Sequence, residues 1–133
     1  MLRGIAALIA AIVLWMVVAT VVHRLMCVAW PAYAVATPTF TFTLPMKVAR
    51  LTLGTVCTLL AGATARRLSS ARWLPAAVGC VLLALFLPEH YLIWSRFPVW
   101  YHLTFLGSLI PLSVIGSRFT FRSQDMEGTV KHA

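Results

Sequence analysis

Six side chains in this sequence stand out chemically because of the apolar company they keep. Glu89, His90, Arg96 and His102 fall within "EHYLIWSRFPVWYHL", residues 89–103, while His23 and Arg50 lie beside apolar runs elsewhere. Carboxylates, guanidinium groups and imidazoles bind ions, share protons or hold oppositely charged ligands. In apolar surroundings an ionisable group is costly unless it is paired, so it marks a site by default. Glu89 is the only acidic residue ahead of Asp125 and needs a partner; Arg50 and Arg96 are the expected ones. Together with His23, His90 and His102 they form an expected outer cluster that either locks helix ends or takes a ligand.

Several chemistries are disfavoured by spacing. Imidazoles from different helices can converge on a metal or haem, but no HExxH or comparable His/Glu spacing occurs, so neither a metal site nor any cofactor is expected. No GxSxG or similar nucleophile setting accompanies the serines, and no catalytic residue is assigned. The three cysteines form neither CxxC nor a zinc-like pattern. Cys57 and Cys80 read as small apolar packing groups rather than a redox pair.

The elements that must position these groups are apolar helices. The chain has 133 residues, 61% of them hydrophobic and 11% charged, with mean hydropathy +0.90. That leaves too little polar surface to coat a soluble globule. Charge-free runs cover residues 4–22, 51–65, 73–88 and 97–117, and the second is best begun at Pro45, a residue suited to a first helical turn. With slight extension each approaches the roughly 20 residues that span a bilayer. The expected fold is therefore an all-α four-helix transmembrane bundle over residues 1–117, with a polar cytoplasmic tail over residues 118–133. The apolar stretch after Arg3 is longer than a signal-peptide core, and "AVA" at residues 34–36 lies far beyond it, so the first segment is expected to be a retained span.

Charge orients the bundle. Arg3, Arg66, Arg67, Arg72, Arg118, Arg122 and Lys131 fall on one side of a four-span threading, and Arg24, Lys47, Arg50 and Arg96 on the other. The richer side is expected to be cytoplasmic, which places both termini on the cytoplasmic side of the membrane. The 11 Lys and Arg against 3 Asp and Glu cluster at span ends, a pattern that suits anionic lipid and not nucleic acid.

Small residues at intervals of four mark helix contacts in lipid, where close backbone approach replaces water exclusion. Gly54, Thr58 and Gly62 form one such row, and Ala76, Cys80 and Ala84 another. These rows fit packing within the bundle, a homo-oligomer or an unidentified membrane partner. The long first outer loop, residues 23–45, contains "TFTFTL", whose alternation predicts extended backbone. A shift of 67 residues also lays "HRLMCVAWPAY" on "HYLIWSRFPVW", matching His23 with His90 and Pro31 with Pro98.

In length, four-span layout and the run "RFPVWYHLTFLGSLIPL", residues 96–112, the chain resembles small uncharacterised bacterial inner-membrane proteins. That resemblance implies a location and no activity. Small multidrug exporters also have four short spans, but they carry an acidic residue in the first span and this chain has none there. The expected role is a non-enzymatic accessory or self-associating membrane component. The alternative is a small oligomeric transporter or ion pathway, for which only Thr52, Thr55, Thr58, Thr64, Ser108 and Ser113 offer polar side chains below the cluster.

Overall fold

The computed structural model describes residues 2–131, and the side chains of residues 2–120. Five α-helices and one 3₁₀ turn follow in order: α1 (Leu2–Ala29), α2 (Pro31–Thr39), α3 (Leu44–Leu68), α4 (Leu74–Leu92), the turn Trp94–Arg96, and α5 (Val99–Lys131). Among the described residues no strand occurs. Four helices, with α5 counted over Val99–Thr120, are long and apolar enough to cross a membrane, which makes the chain a multi-pass membrane protein.

Prolines punctuate the helices. Trp30 leaves the helical region at φ −131° and ψ 87° because it precedes Pro31, and this ends α1. Pro31 then opens α2, Pro45 lies in the first turn of α3 and Pro75 in that of α4, where a missing N–H costs nothing. Pro98 sits just ahead of α5, its carbonyl accepting from the Tyr101 N–H at 3.0 Å.

α5 lies against α3 and α4, and α1 lies on α3. The spine joins Ala7, Ala11 and Trp15 of α1 to Cys57 and Ala61 of α3, Val78 and Leu82 of α4, and Leu109 of α5. The α3–α5 seam is closest where each helix offers a glycine to the other's backbone. A Cβ on Gly62 would run into the Ser113 carbonyl, and one on Gly116 into that of Leu59. Any larger residue there forces the helices apart. Polar ties reinforce the seams: Trp15 Nε1–H donates to Thr58 Oγ1 at 3.0 Å, while the Thr58 hydroxyl turns back to the Gly54 carbonyl of its own helix at 2.7 Å, and the Ser113 hydroxyl donates to the Pro75 carbonyl of α4.

Three expectations change here. Gly54, Thr58 and Gly62 are buried as expected, but of the α4 row Ala76 is only half-buried, and Cys80 and Ala84 are exposed. The buried face of α4 is instead Leu74, Pro75, Val78, Gly79 and Leu82, because Gly79 lets α4 approach the backbone of Ile110. The first interhelical connection is not a continuous loop, since α2 occupies most of it. The "TFTFTL" alternation does not extend as a strand either. Thr39 closes α2, Phe40 takes a left-handed conformation (φ 57°), and Leu44 begins α3 while remaining exposed. α5 runs on to Lys131, and the Thr120 hydroxyl donates to the Ala63 carbonyl at 3.3 Å. The remaining side chains of the expected tail lie outside the described residues.

Candidate functional site: a cavity at the α2 end

The left-handed turn at Phe40 aims Phe42 inward, where it packs on Tyr33, with ring centroids 5.4 Å apart, and stacks on Phe97 at 5.7 Å. With Ala36, Met46 and Tyr101 these rings form a second apolar cluster that roofs one end of the bundle. Beneath it lies a cavity of about 540 Å³ walled by α1, α3, α4 and α5. That volume is in the range of small-molecule sites, about 300–1,000 Å³.

Arg50 is the central charge of this cavity. It stands on α3, about one and a half turns after the Pro45 of the first turn, and its guanidinium is met by hydroxyls and a ring. Nη1–H donates to Tyr33 Oη at 3.0 Å, Nε–H to Tyr101 Oη at 3.4 Å, and the carbon of the fork lies 4.8 Å above the centre of the Phe42 ring. Among the described residues no carboxylate forms an ion pair with it. The expected Glu89–Arg50 or Glu89–Arg96 pair is therefore absent. Glu89 is exposed at the cavity rim, because successive residues on a helix diverge by about 100° and His90 takes the inward position. Arg96, in the 3₁₀ turn, is exposed and does not line the cavity.

A directed chain of hydrogen bonds runs from Arg50. Since the guanidinium only donates, Tyr33 Oη accepts from it and gives its own proton to His23 Nδ1, 3.1 Å away. His23 Nε2–H then faces Cys27 Sγ at 3.8 Å. Burial pushes the Tyr33 hydroxyl above the ordinary tyrosine pKa, against the opposing pull of Arg50, so Tyr33 remains a neutral link.

His90 and His102 form a second buried unit. Their Nδ1 atoms are 2.8 Å apart, and His102 Nε2 lies 3.3 Å from the Trp94 carbonyl. A carbonyl only accepts, so His102 carries its proton on Nε2 and its Nδ1 accepts from His90 Nδ1–H. In neutral His90 this leaves Nε2 as a bare lone pair. Trp94 stacks on His102 at 4.6 Å, and Phe105 on His90 at 4.8 Å, which fixes both rings.

The structure thus brings His23, Arg50 and His90 to one cavity, puts Glu89 at its edge and His102 directly behind His90, and leaves Arg96 outside. Tyr33 and Tyr101 escape a sequence reading. Tyr101 looks like an interfacial ring of the same kind as Tyr91, yet it is 4% exposed where Tyr91 is 79% exposed. Spacing supplied a signal for Tyr101, since His102 and Phe105 share its helix, but none for Tyr33. Among the described residues no group of three metal-ligating side chains gathers anywhere.

The fold and site define a four-span membrane protein with a cavity around an unneutralised arginine near one end. No known protein family, curated protein or solved structure matches the chain.

Proposed function

We propose that this protein is a non-enzymatic component of the bacterial inner membrane, with both termini cytoplasmic, that holds a small ligand in the cavity at its extracytoplasmic, α2 end. The carrying observation is Arg50, a permanent cation held by the hydroxyls of Tyr33 and Tyr101 and the ring of Phe42, with which no described carboxylate forms an ion pair. Such a charge is retained at a cost unless a ligand offsets it.

Packing below the chamber favours binding over an ion pathway. Trp15 is bonded to Thr58 across the bundle, and Cys57, Ala61, Leu82 and Leu109 are almost completely buried around them. A proton or ion leaving the cavity toward the other end meets no continuous polar route through these groups.

Ala19 lines the cavity without joining the hydrogen-bonded chains, so Ala19→Phe tests the reading. If the chamber is a ligand site, Ala19→Phe protein purifies folded but without the small molecule that accompanies the parent protein, as read by mass spectrometry of the extracted particle. If the filled variant is simply more stable and nothing is lost, the chamber is a packing gap and the proposal fails.

A further inference from the structure

The lining of the cavity narrows the ligand class, an inference that rests on reading the cavity as a ligand site. Three features matter: what the deepest groups offer, what stands at the rim, and where the cavity opens.

The deepest groups are complementary to each other. Arg50 presents N–H donors and positive charge to an anion, in the planar fork that suits phosphate oxygens. His90 presents the opposite. It is 6% exposed, and its Nδ1 is committed to His102. No described side-chain nitrogen or oxygen is fully buried without a hydrogen-bond partner. Nε2 of His90 has no hydrogen-bond partner among the described residues and is therefore not fully buried, and His90 lines the cavity. A ligand that satisfies both groups carries an anionic oxygen and, a short distance away, an N–H or O–H donor.

The rim adds sign. Arg24 and Glu89 are its exposed charges. Glu89 directly precedes His90 on α4, so acceptor chemistry and negative charge share the α4 wall. Arg24 is on α1, across the opening. A cationic donor is served by the α4 wall, and an anion by Arg50.

The opening is lateral. Met16, Thr20 and Arg24 all line the cavity and are all exposed, one turn after another along α1, as is Glu89 of α4 on the same cavity. From Arg24 to Met16 that is about 12 Å of helix, which carries the cleft from headgroup depth into the hydrocarbon. A water-soluble ligand has no use for such a slot, whereas an acyl chain leaves through it.

We propose that the cavity binds the headgroup of an aminophospholipid, with a phosphate oxygen on Arg50, an ammonium N–H on His90 Nε2, Glu89 balancing the ammonium at the rim, and the acyl chains leaving between α1 and α4. No covalent step is involved. The positions of His102 and Trp94 follow from this assignment: by accepting the Nδ1 proton, His102 holds His90 in the tautomer that presents Nε2 as an acceptor.

Native mass spectrometry of delipidated, detergent-purified full-length protein tests this with four probes. Phosphatidylethanolamine, phosphatidylcholine and phosphatidylglycerol share acyl chains but differ in the donor and its charge, and glycerol 3-phosphate offers the phosphate without a lipid. The expected result is one saturable phosphatidylethanolamine, with phosphatidylcholine and phosphatidylglycerol each at least about tenfold weaker. Glycerol 3-phosphate should fail to displace it. Arg50→Gln should lose the lipid, and Arg50→Lys should recover part of the binding. His90→Asn keeps a donor toward His102 but removes the Nε2 acceptor, and it should erase the preference over phosphatidylcholine while the thermal midpoint stays near that of the parent. Equal binding of the three lipids, full displacement by glycerol 3-phosphate, or an unchanged preference in folded His90→Asn would each overturn the assignment. The Ala19→Phe result is independent of these: a molecule that Ala19→Phe excludes but that shows none of these preferences preserves the cavity as a ligand site and rejects the aminophospholipid.

Discussion

At the scale of single residues, the environment of Arg50 replaces the charge pair expected from sequence with hydroxyls, and the two arrangements differ in measurable coupling. Tyr33 and the charged Arg50 share a partly buried hydrogen bond, so Tyr33→Phe and Arg50→Gln should be non-additive by about 1–3 kcal/mol in a thermal double-mutant cycle in detergent. Glu89→Gln and Arg50→Gln should instead add within about 0.5 kcal/mol, since the two side chains do not pair. Tyr33 also gives the protein a pH dependence. Its pKa is higher in the folded state than in an exposed chain, chiefly through burial. The stability it contributes is therefore complete below the ordinary tyrosine value of about 10 and is lost as pH rises through the raised folded value. Tyr33→Phe should flatten that alkaline limb of a midpoint-against-pH curve. If parent and variant fall in parallel, Tyr33 is not the titrating group.

Among the helices, the decisive feature is how closely α3 and α5 approach. Gly62→Leu or Gly116→Leu places side-chain atoms where a facing carbonyl already stands, and should lower stability by about 1–3 kcal/mol or prevent assembly. Cys80→Leu and Ala84→Leu, on the exposed face of α4, should change the monomer's midpoint by less than about 0.5 kcal/mol. A large loss at Cys80 or Ala84, accompanied by a smaller particle mass, would instead reveal that this face joins subunits. The 67-residue echo bears on the same scale. His23 and His90 occupy matching places in it, and both line the one cavity, at the ends of α1 and α4 nearest α2.

For the molecule as a whole, the testable quantity is orientation in the bilayer. Reporter fusions after Ser69 and at the C-terminus should read cytoplasmic, and fusions at Ala36 or Ser95 extracytoplasmic. The reverse pattern would defeat the charge-bias argument and turn the cavity toward the cytoplasm. The end opposite the cavity is also tied across the bundle, where the Arg3 Nε–H donates to the Leu68 carbonyl at 3.3 Å, while the Arg66 fork donates locally to the Ser70 carbonyl just after α3.

Sequence alone determined the helical class, the four apolar segments and nearly all their starts. Hydropathy and proline act over a few neighbouring residues, and bilayer thickness fixes the length that matters. It also isolated the six ionisable residues, because charge in an apolar run is conspicuous without any knowledge of contacts. Tertiary structure alone decided their partners. Glu89 and His90 are adjacent in sequence, and only the rotation of α4 about its axis sends one to the rim and the other to the core. That rotation is dictated by Gly79 against Ile110 on another helix, a contact that no periodicity within α4 records. Tyr33 reaches Arg50 only because α2 folds back over the bundle mouth, and the left-handed turn at Phe40 closes the aromatic roof over both. A local pattern can identify an ionisable group, but its neighbours come from helices distant in the chain, and their packing selects which of them it meets.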